Sequence, residues 1–165
     1  MNLFTHKGKE GGELRKGGEK SKVKDPYRSG ILAGRPSITL RTRLEGRVVG
    51  VLNRRIEKLG LELIHPKTRC VKKFEVHEVL LTDEREASPG TKVNHVASIA
   101  FIEFSTGGVL VQGDKVTIGN RDIGRIAGFD ETHYPNHINI VLKGPKRITG
   151  IEWGIVGGAK VAFRD

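Results

Sequence analysis

The sequence predicts an all-β protein: a small closed or partly open β-barrel of about eight to ten short strands. Three observations carry that expectation. Short runs of alternating apolar and polar residues recur along most of the chain, the period of a half-buried strand. Glycine is abundant at 22 residues and aromatics make up only 5%, so tight turns are many and large side chains few. No segment shows helical periodicity over more than two turns. Closure into a barrel is preferred over an open sheet because so many short strands would otherwise leave edges unpaired.

Taken in order, residues 1–36 are rich in Gly and Lys and poor in apolar residues. Such a stretch cannot bury enough surface to offset its chain entropy, so a disordered basic tail is expected there, with a β-barrel domain over 37–165. From Ile38 to Leu44 the apolar residues alternate with Thr39, Arg41 and Arg43, and Val48–Leu52 continues as a more buried strand. Asn53–Leu59 reads as a single helical turn or a hairpin tip, stopped by Gly60. Leu61–Ile64, Cys70–Leu81 and Val93–Phe104 each read as one strand, the last apolar enough at its centre to be covered on both faces.

The organising stretch runs from Gly107 to Leu142. Val109, Val111, Val116, Ile118, Ile123 and Ile126 supply the apolar beats, and Gly119-Asn120 suits a tight hairpin because such a step needs positive φ, which Gly and Asn tolerate. A polar loop follows, from Asp130 to His137, before the strand Ile138–Leu142. After Gly144-Pro145 and the segment holding Trp153, Lys160–Phe163 reads as the last strand.

The charge is uneven. Residues 1–47 hold 12 Lys/Arg against 5 Asp/Glu, a net of +7, out of +10 for the whole chain. Most of the basic character therefore belongs to the leading segment, where weak, salt-sensitive and sequence-independent attraction to nucleic acid is the expected behaviour. The lone Cys70 excludes an internal disulfide and a cysteine-based metal cluster. No run approaches the roughly 18 apolar residues of a membrane span and no leader is visible, so no membrane association and a cytoplasmic location are expected. There is no Walker loop, no Gly-rich dinucleotide fingerprint after a strand, and no zinc-ribbon spacing.

The runs Ile99–Phe104, Gly108–Gly119, Ile123–Gly128, His137–Leu142 and Gly158–Phe163 together resemble the glucitol/sorbitol-specific IIA component of the bacterial sugar phosphotransferase system, over residues 96–163. That resemblance implies a small barrel carrying phosphate on a histidine. Glu103 falls where the phosphorylated histidine would lie, and a carboxylate cannot form a phosphoimidazole. The chain also looks like a member of an uncharacterised bacterial family with the signature GFDETHxPNH, here Gly128–His137.

Candidate site residues are Glu103, Asp130, Glu131, His133, Asn136 and His137. A carboxylate within an apolar strand, as at Glu103, must be exposed, paired or functional. The loop gathers two carboxylates and two imidazoles within eight residues. Three readings stay open. The first is a non-catalytic, regulatory or accessory barrel that binds a small molecule or a protein partner at Glu103 and the loop. The second is a metal-dependent enzyme in which His133, His137 and Asp130 hold a divalent metal. Pro135 argues against bringing the two histidines together on a helix, and no hydroxyl lies in a nucleophile-elbow context. The third is a nucleic-acid accessory protein acting through residues 1–36. His65, His77 and His95 read as partly exposed strand residues.

Overall fold

The computed structural model describes residues 41–165. The basic segment 1–36 and the first beats of the Ile38–Leu44 alternation lie outside the described residues. Eleven strands follow in chain order: β1 (Leu44–Ile56), β2 (Leu61–Glu62), β3 (Thr68–Val71), β4 (Val76–Thr82), β5 (Lys92–Val93), β6 (Val96–Phe104), β7 (Gly108–Val111), β8 (Lys115–Ile118), β9 (Arg121–Asp130), β10 (Asn139–Lys143) and β11 (Lys160–Arg164). None of the described residues is helical.

Seven of these strands close into a barrel, in the order β1-β11-β8-β9-β10-β4-β6 and back to β1. An odd ring cannot alternate in direction all the way round, so one neighbouring pair must be parallel. That pair is β4–β10, with Asn139 opposite Glu78 and Lys143 opposite Thr82. The parallel register sets the start of β10 beside His77. The remaining strands form two ribbons, β2 with β5 and β3 with β7.

The barrel interior is filled by Leu44, Val79, Leu81, Ile99, Ile102, Phe104, Val116, Ile126, Phe129, Ile140 and Phe163, among others. Phe104 and Phe163 stack at the centre, 5.4 Å between ring centroids. A second apolar cluster lies outside the wall, where Leu80, Ala127 and Val141 meet Leu61 and Val93 of the β2–β5 ribbon and Leu63 just after β2. The centre of β6 is thus covered on both sides, as its composition predicts, and Ala97, Ile99 and Ala100 are fully buried.

The Gly119-Asn120 hairpin joins β8 to β9, with the positive φ of 58° taken by Gly119. Three expected boundaries differ. The Asn53–Leu59 segment is no hairpin tip: β1 continues to Ile56, opposite Val96, and the turn comes after it, with positive φ at Lys58 and Gly60. Cys70–Leu81 is two strands, because β3 pairs in a ribbon and β4 pairs in the ring. The break falls at Lys72–Glu75, where Phe74 takes φ 72° and the Glu75 carboxylate accepts from Lys72 N at 3.0 Å. Val93–Phe104 likewise breaks at Asn94-His95, whose two backbone N–H groups both donate to Glu84 Oε1, at 2.8 and 2.7 Å.

The segment 149–155 plugs the wall between β1 and β6. Their register slips between Val51 and Arg54. Into that slip the chain inserts backbone: Gly150 N donates to Ser98 O and Ile151 N to Leu52 O, both at 3.3 Å. Ile155 and Trp153 then pack on the core.

Candidate functional site

The loop between β9 and β10 is built on Asp130. The last residue of β9 and almost fully buried, it accepts from Thr132 Oγ1 at 2.8 Å, Thr132 N at 3.3 Å and Asn139 Nδ2 at 2.8 Å. A carboxylate turned onto the backbone two residues ahead is an Asx turn, here reinforced across the ladder from β10. The loop closes on itself through Tyr134 N to Glu131 O and Asn136 N to His133 O. The Tyr134–Pro135 bond is cis.

From this base the other side chains separate. Glu131 reaches away from the barrel to pair with Arg69 of β3, whose guanidinium also lies over the Tyr134 ring, 5.8 Å from its centroid. His133 and His137 stack, with centroids 4.9 Å apart. His137 donates from Nδ1 to Asn136 Oδ1 at 2.7 Å and rests edge-on against Phe101. Among the described residues its buried Nε2 has no hydrogen-bond partner, and it faces Glu78 Oε2 at 3.7 Å. Glu78 in turn accepts from Ser98 Oγ at 3.0 Å. Glu103 stands on the neighbouring part of β6, where Arg47 holds it at 2.9 Å.

The loop residues are therefore neighbours without sharing one task. Asp130 anchors, Glu131 bridges to β3, and the two imidazoles with Asn136 form a stack over Phe101. Among the described residues no group of three or more His, Cys, Asp or Glu side chains is placed to hold a metal ion. The donor set explains this. The oxygens of Asp130 are turned to Thr132 and Asn139, and stacked imidazoles present faces to one another, where chelation needs their nitrogens to converge.

Beside the loop lies a groove of about 770 Å³, between β2 and β3. Leu63, Ile64 and Pro66 give it apolar lining, and Arg69, Cys70 and Glu131 stand on the loop side. Gly90 lets the His65 ring pack close at the far wall, since a Cβ there would come within 2.7 Å of the imidazole. The residues that sequence reasoning missed are Arg69, Cys70, Glu78 and His77. Nothing in their local sequence marks them, because each meets the loop only through the sheet topology.

His77 is the least expected. It is a buried ring, 7% exposed, at the start of β4. Its Nδ1 accepts from Ile138 N at 3.3 Å, its Nε2 lies 3.2 Å from Glu75 Oε2, and its edge meets Phe104. Burial pushes its pKa below the usual histidine range against the pull of Glu75, with Arg69 and His137 adding to the depression. His137 is lowered too, by burial and then by His133, against Glu78. Both imidazoles thus bind protons more weakly folded than unfolded, so stability is full above about pH 6.5 and is lost as pH falls through their folded pKa values. A thermal melt is expected to show Tm falling between pH 7.5 and pH 5, and a flat profile over that range would contradict the assignment.

A small closed β-barrel with a polar loop standing beside an open groove is the class that this geometry defines. Residues 38–164 match the model of the family of unknown function DUF6917, and the chain belongs to that family. No curated protein and no solved structure matches it. No helix among the described residues is long and apolar enough to cross a membrane.

Proposed function

We propose that this protein is a non-catalytic binding barrel that takes a small molecule with a carboxylate or phosphate group into the groove between β2 and β3. The observation that carries the reading is the position of Arg69. It lines a groove of about 770 Å³, within the roughly 300–1,000 Å³ of small-molecule sites, and its present partner is an exposed carboxylate on a loop. Glu131 occupies Arg69 Nη1 as a ligand's own anion would, and a planar guanidinium can donate two parallel N–H groups to a carboxylate or phosphate. Leu63, Ile64 and Pro66 offer apolar contact for the rest of the molecule.

In this reading the kinship with a sugar phosphotransferase IIA component is one of scaffold, with Glu103 at the phosphoryl-bearing position. Its ion pair with Arg47 gives that carboxylate a structural use. A cytoplasmic setting suits the exposed free thiol of Cys70.

Cys70 also supplies the test, because it is the only thiol in the chain and lines the groove. A panel of carboxylates, sugar phosphates and nucleotides is screened by thermal shift. Any hit at ten times its Kd is expected to slow alkylation of Cys70 about tenfold, since about a tenth of the grooves remain empty. Arg69→Ala is expected to weaken the same hit roughly 10- to 100-fold, the worth of a hydrogen bond to a charged group. Hits that leave both Cys70 reactivity and Arg69→Ala affinity unchanged bind elsewhere, and the groove reading falls.

A further inference from the structure

We propose that His77 is an acid-sensitive latch on the loop that carries Glu131, so that protonation of its imidazole releases the His133–Ile138 half of that loop and takes Tyr134 off Arg69 at the edge of the open groove. That release has a purpose only if the groove is the binding site proposed above. The latch itself rests only on how His77 is bonded.

The two ring nitrogens have fixed and different roles. Ile138 N–H points at Nδ1, so Nδ1 must present its lone pair. The proton of the neutral ring then sits on Nε2, which donates to the Glu75 carboxylate. A second proton can go only to Nδ1, where it would meet the Ile138 N–H head-on across 3.3 Å. Turning the ring over does not help, because it would take the Nε2 donor away from Glu75. One protonation therefore converts an acceptor into a donor at a buried backbone contact, and an N–H left without a partner there is costly.

The strain lands at a hinge. Ile138 is the first residue after the loop, and its carbonyl accepts from Glu78 N at 3.2 Å. His137, one residue before, stacks on His133 and faces Glu78. At the other end, Asp130 keeps its hold on Thr132 and Asn139. Between them, the exposed Glu131–Arg69 pair and the Tyr134 ring beside the same guanidinium tie the loop to β3, and such exposed pairs contribute little. A loop freed at Ile138 can swing its second half, His133 to His137, and carry Tyr134 off the Arg69 guanidinium, while Glu131 stays between the bonded Asp130 and Thr132.

The charges facing His77 come from three directions. Glu75 favours the imidazolium, while Arg69 of β3 and His137 of the loop oppose it. Glu78 and His133 act on His137.

Hydrogen exchange on the full chain, without ligand, reads the latch directly. Protection factors corrected for intrinsic exchange are compared at pH 7.5 and pH 5.0. For the Ile138, His137 and Asn136 amides they are expected to fall about tenfold on acidification, as for loss of one hydrogen bond. In His77→Asn the side-chain oxygen can still accept from Ile138 N–H and does not titrate, so protection there is expected to stay level. Unchanged protection in the native chain overturns the latch, and so does a His77→Asn variant that follows the native pH curve. Imidazole nitrogen shifts of the native protein give a second reading that needs no variant: a neutral ring protonated at Nε2 at pH 7.5 supports the latch, and one protonated at Nδ1 refutes it. A latch that behaves as expected in a chain whose Cys70 no compound protects would leave the latch standing and remove the groove as its purpose.

Discussion

Asp130→Ala is expected to lower the unfolding free energy by about 3 kcal/mol, read as an earlier urea midpoint with little change in slope. The expectation comes from what the carboxylate holds. Thr132 is exposed and can turn to water, but the Asn139 amide is buried in the ladder and would lose its Nδ2 acceptor. Its Oδ1 has no partner among the described residues, so the side chain would be left wholly unsatisfied there. Asp130→Asn is expected to recover most of the loss, because its Oδ1 can still accept from Asn139 Nδ2 while its Nδ2 donates to the Thr132 hydroxyl. An Asp130→Ala variant with native stability would show that the carboxylate anchors nothing, and would return it to the set of candidate ligands.

The largest effect of a single methyl is expected at Gly150. A Cβ there would lie 1.9 Å from Ile99 O and 3.0 Å from Leu52 O, both backbone atoms of the strands that the plug separates. Neither can yield without widening the β1–β6 slip, so the plug would have to withdraw and take the packing of Ile155 and Trp153 with it. The cost of Gly150→Ala is expected to exceed about 4 kcal/mol, in the range reserved for gross overlap. Gly157, a few residues on, has nothing among the described residues within 4 Å of its Cβ position, and Gly157→Ala is expected to stay within about 0.5 kcal/mol of the native chain. Trp153, the only tryptophan, sits in the plug and reports both by fluorescence. Equal stability of the two variants would mean that the plug is not seated between Leu52 and Ile99.

The strands legible from sequence are those whose order is local. Gly119-Asn120 specifies its hairpin by backbone freedom, and the alternation around Val116, Ile118 and Ile126 specifies which side faces inward. The breaks at Lys72–Glu75 and Asn94-His95 are not legible, because they arise from a change of partner strand. An apolar pattern continues smoothly across such a change. The same holds for the site. Asp130, Glu131, His133, Asn136 and His137 do form one loop, as their spacing implies, but spacing is silent on which way each points. His77 and His95 look alike in sequence. Only the parallel pairing of β4 with β10 brings a backbone N–H to one of them, and only the packing of β3 against the loop gives Glu131 its arginine.

Ring closure by β1 and β11 joins Leu44 to Phe163, from opposite ends of the described chain. Until β11 has been synthesised and docked, β8 and the start of β1 expose unpaired backbone to any other strand that arrives. Folding is accordingly expected to be slow, governed by its most distant pairing, and most vulnerable to misassembly in that last open interval. A chaperone's help would count most in the moments before that final seam zips shut.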